Sequence, residues 1–79
     1  MATILFLGRL RDATGKRELT ATLPPAVGDT RSLRAWLAQE HPALSDVSIR
    51  IAVNSELRAG DVPVGDADEI AFLPPMSGG

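Results

Sequence analysis

Only one segment of this 79-residue sequence has the periodicity of a helix of several turns, and strand-like segments lie on both sides of it. Leu33, Trp36 and Leu37 occupy positions i, i+3 and i+4, which places them on one face of a helix that packs against the core. Asp29 or Thr30 can cap its first turn. A chain of this length, with 44% hydrophobic residues, supplies one core and not two. The sequence therefore predicts one domain in which a single helix covers one sheet.

The strand-like segments have a definite order along the chain. Apolar runs and strict alternation indicate strands, whereas glycine, proline and asparagine mark the turns between them. The predicted elements are a strand over 4–7, a helical turn over 9–14 ended by Gly15, a strand through Leu19, Ala21 and Leu23, the helix, a strand through Ile49, Ile51 and Val53, a tight turn at Asn54-Ser55, a brief edge strand at Val62-Pro63-Val64 and a last strand over Glu69–Leu73.

This order predicts the α+β class and the β-grasp (ubiquitin-like) arrangement, a small mixed sheet packed on one main helix. The first and last strands are the most apolar and should lie side by side in the middle of the sheet. One helix covers only one face, so apolar groups of the first strand should remain on the other face. Two alternatives stay open for that face. Either loops around Pro24-Pro25 and Ala43-Leu44 cover it, or it binds a partner.

Charge and residue usage argue against several functions. The net charge is -2 and no run of like charges stands out, which speaks against nucleic acid as the main partner. The sequence contains no cysteine and one histidine, so it offers no disulfide, zinc-thiolate site or Ser-His-Asp triad. Asp66, Asp68 and Glu69 lack the spacing of an EF-hand and indicate a solvated turn, so we expect no metal. The early apolar run is too short for a signal peptide or a membrane span, which predicts a cytoplasmic protein.

Few isolated residues suggest further chemistry. His41 stands at a helix end, where a solvated or dipole-facing histidine is ordinary. Trp36 has the spacing of a core residue, and Gly8 lacks the accompanying glycines of a phosphate-binding loop. Arg9 and Arg11 either guide an acidic partner or are ordinary exposed arginines beside a turn.

The last two residues, Gly78 and Gly79, carry the strongest indication of function. A terminal di-glycine offers a carboxylate on a stem without side chains, narrow enough to enter another protein's active site. The prolines before it bias the base of the stem toward an extended form, and six residues from 74 to 79 reach at most about 20 Å. We therefore expect a domain over 1–74 and a flexible tail over 75–79. The reactive end would be Gly79, and the residues that enter a partner's channel would be Pro74, Pro75, Met76, Ser77 and Gly78.

The sequence resembles the small, sulfur-carrier subunit of molybdopterin synthase over nearly its full length. The Phe-x-Pro-Pro-x-x-Gly-Gly ending is the specific part of the match, because the related thiamine sulfur carriers usually lack the Pro-Pro pair. Ala67 departs from the family, which usually has a turn glycine at this point. The matching segments are Ile4-Leu5-Phe6 with Gly8-Arg9-Leu10-Arg11, then Ile51-Ala52-Val53-Asn54, and finally residues 65–79.

The resemblance implies that Gly79 is adenylated by a ubiquitin-activating-like adenylyltransferase that consumes ATP. Gly79 then becomes a thiocarboxylate, with sulfur from a donor protein, and passes that sulfur to a cyclic pyranopterin precursor within the large subunit. The resemblance also implies that the carrier has no catalytic activity of its own and binds no cofactor tightly. It would act in a complex that contains two copies of each subunit. Other ubiquitin-like carriers share the activation step. Two alternatives therefore stay open. The chain could carry sulfur for thiamine, cysteine or tRNA thiolation, or it could be linked to proteins as a ubiquitin-like modifier.

Phe72 and Leu73 are the predicted partner-binding residues. Neighbours on a strand point to opposite faces, so one of the two should pack in the core and the other should contact the partner. The resemblance places an aromatic residue at position 72. We therefore expect Phe72 to face the partner, on the sheet face opposite the helix.

Overall fold

A computed structural model of the protein describes residues 1–75, and residues 76–79 lie outside the described part. Within residues 1–75, five strands form one sheet in the order β2-β1-β5-β3-β4, with β1 and β5 parallel and the other neighbours antiparallel. The first and last strands lie side by side, as predicted. The elements are β1 (Ala2–Phe6), α1 (Leu10–Thr14), β2 (Glu18–Ala21), α2 (Thr30–Ala38), a 3-10 turn (Pro42–Ser45), β3 (Arg50–Val53), β4 (Glu56–Arg58) and β5 (Glu69–Leu73).

Helix α2 begins at Thr30, and its N-cap is Asp29, one of the two residues predicted for this position. The Asp29 carboxylate accepts a hydrogen bond from the Ser32 backbone N–H at 2.8 Å, and the Ser32 hydroxyl accepts one from the Asp29 N–H at 3.3 Å. This reciprocal capping box satisfies N–H groups that have no partner within the helix. Leu33 and Leu37 are buried, whereas Trp36 is half-buried against the core rather than fully inside it. None of the described helices is long and apolar enough to cross a membrane.

The core lies between the sheet and the layer formed by α2 and the 3-10 turn. The inward residues of the two central strands stand opposite each other, Ile4 with Ile70 and Phe6 with Phe72. The rings of the two phenylalanines lie 5.9 Å apart between centroids, a distance typical of a packed aromatic pair. The largest fully buried side chains are Phe6, Phe72, Ile4, Leu33, Leu44 and Ile70.

The edge of the sheet differs from the prediction. Strand β4 (Glu56–Arg58) is the edge strand, whereas Val62-Pro63-Val64 contributes only an isolated bridge between Pro63 and Asp29. Asn54 and Ser55 both have positive φ angles, 51° and 70°, as in the tight turn of a β-hairpin. The chain therefore reverses direction here, and β4 pairs with β3. The Glu-Leu-Arg sequence of this short, exposed strand carries no apolar alternation, so the pattern did not indicate it.

Candidate functional site: an apolar sheet face and the base of the tail

A row of apolar residues crosses the sheet on the face opposite α2. Leu5 stands opposite Ala71, Ala71 opposite Ala52, and Ala52 opposite Leu57. Residues paired in register share a face, so these four side chains lie side by side across β1, β5, β3 and β4. Leu57 is 51% exposed, and the other three are half-buried.

Two further leucines extend this row toward the end of β5. Leu73 lies two residues after Ala71 and is therefore on the same face, half-buried. Leu7 is 39% exposed and follows β1, where its N–H donates to the Phe72 carbonyl at 3.0 Å. We call the whole surface the apolar face, which consists of Leu5, Leu7, Ala52, Leu57, Ala71 and Leu73.

The predicted loop at Ala43-Leu44 does not cover this face. Leu44 is fully buried in the core and does not reach the far side of the sheet. Leu7 and Leu57 keep 39% and 51% of their surface exposed. Of the two alternatives for the uncovered face, the covering loop at Ala43-Leu44 is therefore wrong, and an apolar surface remains exposed in the described chain.

The expectation that Phe72 faces the partner is wrong. Phe72 has no exposed surface and stands in register between Phe6 and Ile51, which both belong to the core. Alternation along β5 turns Ile70 and Phe72 toward α2 and leaves Leu73 on the apolar face. Leu73 is thus the member of the predicted pair that a partner can reach.

The base of the tail rests on the turn between β1 and α1. A Cβ atom at Gly8 would lie 3.0 Å from Cγ of Pro74, and Gly8 has a φ angle of +56°. Both the close approach of the proline ring and the left-handed backbone therefore favour glycine at position 8. The sequence did not indicate this role of Gly8, because the contact joins it to Pro74, near the other end of the chain. Pro75 is half-buried and borders a shallow groove with Leu10 and Ile49.

The reactive part of the predicted site lies outside the described residues. It comprises Met76, Ser77, Gly78 and Gly79. Their predicted roles stay predictions, as does the domain boundary after residue 74.

The acidic turn before β5 is bonded to the fold rather than merely solvated. The Asn54 side-chain amide and the Gly65 N–H donate to Asp68 at 2.9 and 2.7 Å, and these bonds lower the pKa of Asp68. The side-chain oxygen of Asn54, Oδ1, in turn accepts from the Glu69 N–H at 2.9 Å. Asp66 accepts from the Leu23 N–H at 2.8 Å. These carboxylates fix where β5 begins.

The other predicted candidates are spread over the molecule. His41 is largely buried, with 16% of its side chain exposed, and packs edge-on against Phe6 rather than pointing into solvent. Arg9 and Arg11 are exposed beside the β1–α1 turn, where Arg11 Nε donates to the Gly8 carbonyl at 3.3 Å. Among the residues that the structure describes, no group of three acidic, histidine or cysteine side chains is placed to hold a metal ion.

This fold and face define a class of protein, the ubiquitin-like β-grasp domains. A putative molybdopterin converting factor subunit 1 from Pyrococcus furiosus has the same fold, with a TM-score of 0.79 at 21% identity over 95% of this chain and 97% of that one. The sequence profile of the ThiS family matches residues 4–79, and the chain belongs to that family. The predicted family of ubiquitin-like sulfur carriers is thereby confirmed.

Individual relatives match along the whole chain. The molybdopterin synthase sulfur carrier subunit of Escherichia coli K12 is 33% identical over 81 residues, which cover 100% of both chains. Further relatives with the same name are 30% to 38% identical. A complex of subunits 1 and 2 of the molybdopterin-converting factor from Helicobacter pylori 26695 contains a chain with a TM-score of 0.66 and 25% identity, covering 99% of this chain and 97% of that one.

Proposed function

We propose that this protein is the sulfur carrier of molybdenum cofactor synthesis and has no turnover of its own. The observation that carries the proposal is the full-length similarity to relatives that are named as molybdopterin synthase sulfur carrier subunits. The geometry agrees with this role, because the central strand β5 leads from the apolar face directly into the Pro-Pro base of a tail that ends in Gly-Gly.

The chemistry would take place at the carboxylate of Gly79. A free carboxylate is a poor acyl electrophile, so an activating enzyme would join it to AMP from ATP and release pyrophosphate. The terminal sulfur of a donor protein's persulfide would then displace AMP, and a thiol would cleave the remaining S–S bond to leave a thiocarboxylate on Gly79. The sequence has no cysteine, so no thiol of its own can carry the sulfur. ATP is consumed by the activating enzyme and is not held by this chain.

The apolar face would dock the partners that use the tail. Leu73 lies on this face and is separated from the first residue of the tail by Pro74 alone. A large subunit that covers the apolar face would therefore receive the tail beside its contact surface. Pro74 packs on Gly8 and limits the directions in which the tail can leave the domain. We propose that the synthase contains two copies of each subunit, with the catalytic residues on the large one.

Deletion of Gly79 tests the carrier proposal. The protein would be incubated with the activating enzyme, ATP and a sulfur source, and its intact mass measured. We expect the parent to gain the mass difference between oxygen and sulfur and the truncated protein to remain unchanged. Gly79→Ala is the comparison variant, because it keeps the carboxylate at position 79 and adds only one methyl group, whereas the deletion moves the carboxylate back to Gly78. A truncated chain that acquires sulfur as readily as the parent would contradict the proposal.

Loss of the gene in its own organism identifies the sulfur acceptor. We expect molybdenum enzymes to lose activity while growth without thiamine, growth without cysteine and tRNA thiolation persist. A thiamine or cysteine requirement, or a loss of tRNA thiolation, with intact molybdenum enzymes would instead support one of the other sulfur carriers. Attachment of the chain to lysines of cellular proteins would indicate a modifier.

A further inference from the structure

Half of the lysine and arginine residues of this protein border one groove. The groove has a volume of about 490 Å³ and lies between the start of α2, the loop before β3 and the adjoining ends of β3 and β4. Four of the eight lysines and arginines in the sequence line it, although the chain as a whole has a net charge of -2. These four are Arg31, Arg34, Arg50 and Arg58.

One of the four arginines is committed to the fold. The Arg34 guanidinium donates to the Asp46 carbonyl at 2.7 Å and to the Ile49 carbonyl at 2.8 Å, and so holds the loop before β3 against α2. Burial lowers the pKa of Arg34, but a guanidinium remains charged at neutral pH. Carbonyl oxygens satisfy its donors without cancelling its charge, so Arg34 leaves positive charge at the groove wall.

The other three arginines are available to a ligand. Within residues 1–75, neither Arg31 nor Arg50 forms an ion pair, and Arg58 pairs only with Glu56, at 2.8 Å on the surface. Such an exposed pair is weak and can be exchanged for another carboxylate.

Nearby carboxylates already have partners. Asp61 borders the groove, but it accepts hydrogen bonds from the Thr30 hydroxyl at 3.0 Å and the Arg31 N–H at 2.9 Å. The Asp46 carboxylate accepts from the N–H and hydroxyl of Ser48, which lowers the pKa of Asp46. These neutral donors do not cancel the charge of a carboxylate, but Asp61 is the one acidic residue among the described residues that line the groove, and the four arginines outnumber it.

The groove also has an apolar wall, which narrows the class of ligand. Val47 is 93% exposed at its rim, and Ile49 and Ile51 form part of the lining. Arginine forks bind carboxylates through paired hydrogen bonds, and the apolar wall favours a ligand that also carries apolar side chains. An acidic protein segment with an apolar residue has this combination.

The groove adjoins the apolar face. Arg50 stands opposite Leu73 in the pairing of β3 with β5, which places it on the face of Leu73, and it also lines the groove, so it borders both surfaces. We propose that this groove binds an acidic segment of the synthase large subunit, the partner that covers the apolar face. This inference rests on the proposed function and adds a second, electrostatic contact to it.

Charge reversal tests the groove in the intact complex. Association of the full-length chain with its own large subunit would be followed at several salt concentrations. We expect Arg50→Glu/Arg58→Glu to slow association roughly 10- to 100-fold at low salt and to flatten its salt dependence. Lys16→Glu is the control beside β2, at the other edge of the sheet. It changes the net charge by -2, half the change of the double reversal and the same change as in Arg50→Gln/Arg58→Gln, and should change the rate by less than about 2-fold.

The outcomes separate this inference from the proposed function. If Leu73→Ala weakens binding while the arginine variants match Lys16→Glu, the groove proposal is overturned and the carrier proposal stands. If the parent chain does not bind the large subunit at all, both are overturned. Thermal melts verify that each variant is folded, and Arg50→Gln/Arg58→Gln replaces the reversal if that variant is not. This neutral pair should slow association less than charge reversal but more than Lys16→Glu.

Discussion

Substitution of Phe72 and Leu73, one at a time, separates the core face of β5 from the proposed docking face. Phe72 is fully buried, and its ring packs 5.9 Å from that of Phe6. Loss of a buried phenylalanine side chain costs about 3–5 kcal/mol of unfolding free energy. A domain of this size has about 4–12 kcal/mol in total, so Phe72→Ala can unfold it. Phe72→Leu retains most of the apolar volume and should cost about 1–2 kcal/mol, which is measurable.

Substitution of Leu73 should affect binding of the large subunit more than it affects stability. Leu73 is already half-buried on an exposed face, so Leu73→Ala should lower the unfolding free energy by less than about 1 kcal/mol. If the large subunit covers it, truncation should weaken binding by about 1–3 kcal/mol, which corresponds to roughly 5- to 150-fold in Kd.

Two assays on the same preparations decide between the faces. Urea unfolding gives the stability of each variant, and titration against the large subunit gives its affinity. Phe72→Leu should lose stability with nearly unchanged affinity, and Leu73→Ala should lose affinity with nearly unchanged stability. Equal affinity for Leu73→Ala and the parent would refute the assignment of the apolar face as the docking surface.

Three further outcomes follow from the structure. Gly8→Ala and Gly15→Ala both place alanine at a positive φ, at a cost of about 1–2 kcal/mol each, but only the first adds an atom against Pro74. Urea unfolding should therefore show a larger loss for Gly8→Ala, and equal losses would contradict the Pro74 contact. Gly78→Ala should slow adenylation and sulfur transfer with a change in stability well under about 1 kcal/mol, whereas unchanged rates would argue against a narrow channel. The pKa of Asp68 is lowered from 3.8, so its stabilisation is complete above that value and is lost as pH falls through the lower folded-state pKa. Asp68→Asn should flatten the acid side of the stability profile, and an unaltered profile would exclude this contribution.

Local patterns determined most of the elements of this protein. The cap at the start of α2, the glycine stop at Gly15 and the limits of β5 depend on residues a few positions apart. The sequence predicted the last two and narrowed the cap to Asp29 or Thr30, of which the structure has Asp29. The Pro-Pro and Gly-Gly ending likewise indicated the family without any three-dimensional information, since its chemistry depends on consecutive residues.

Tertiary structure decided which residues are accessible. Alternation predicts that Phe72 and Leu73 face opposite ways, but only the pairing of β5 between β1 and β3 shows which one meets α2. Strand β4 follows from the hairpin turn at Asn54-Ser55 and not from its own apolar pattern. The contact of Gly8 with Pro74, and the groove that gathers arginines from positions 31 to 58, join residues distant in sequence. Periodicity reports the local environment of a residue, and contacts between distant segments exist only once the chain has folded.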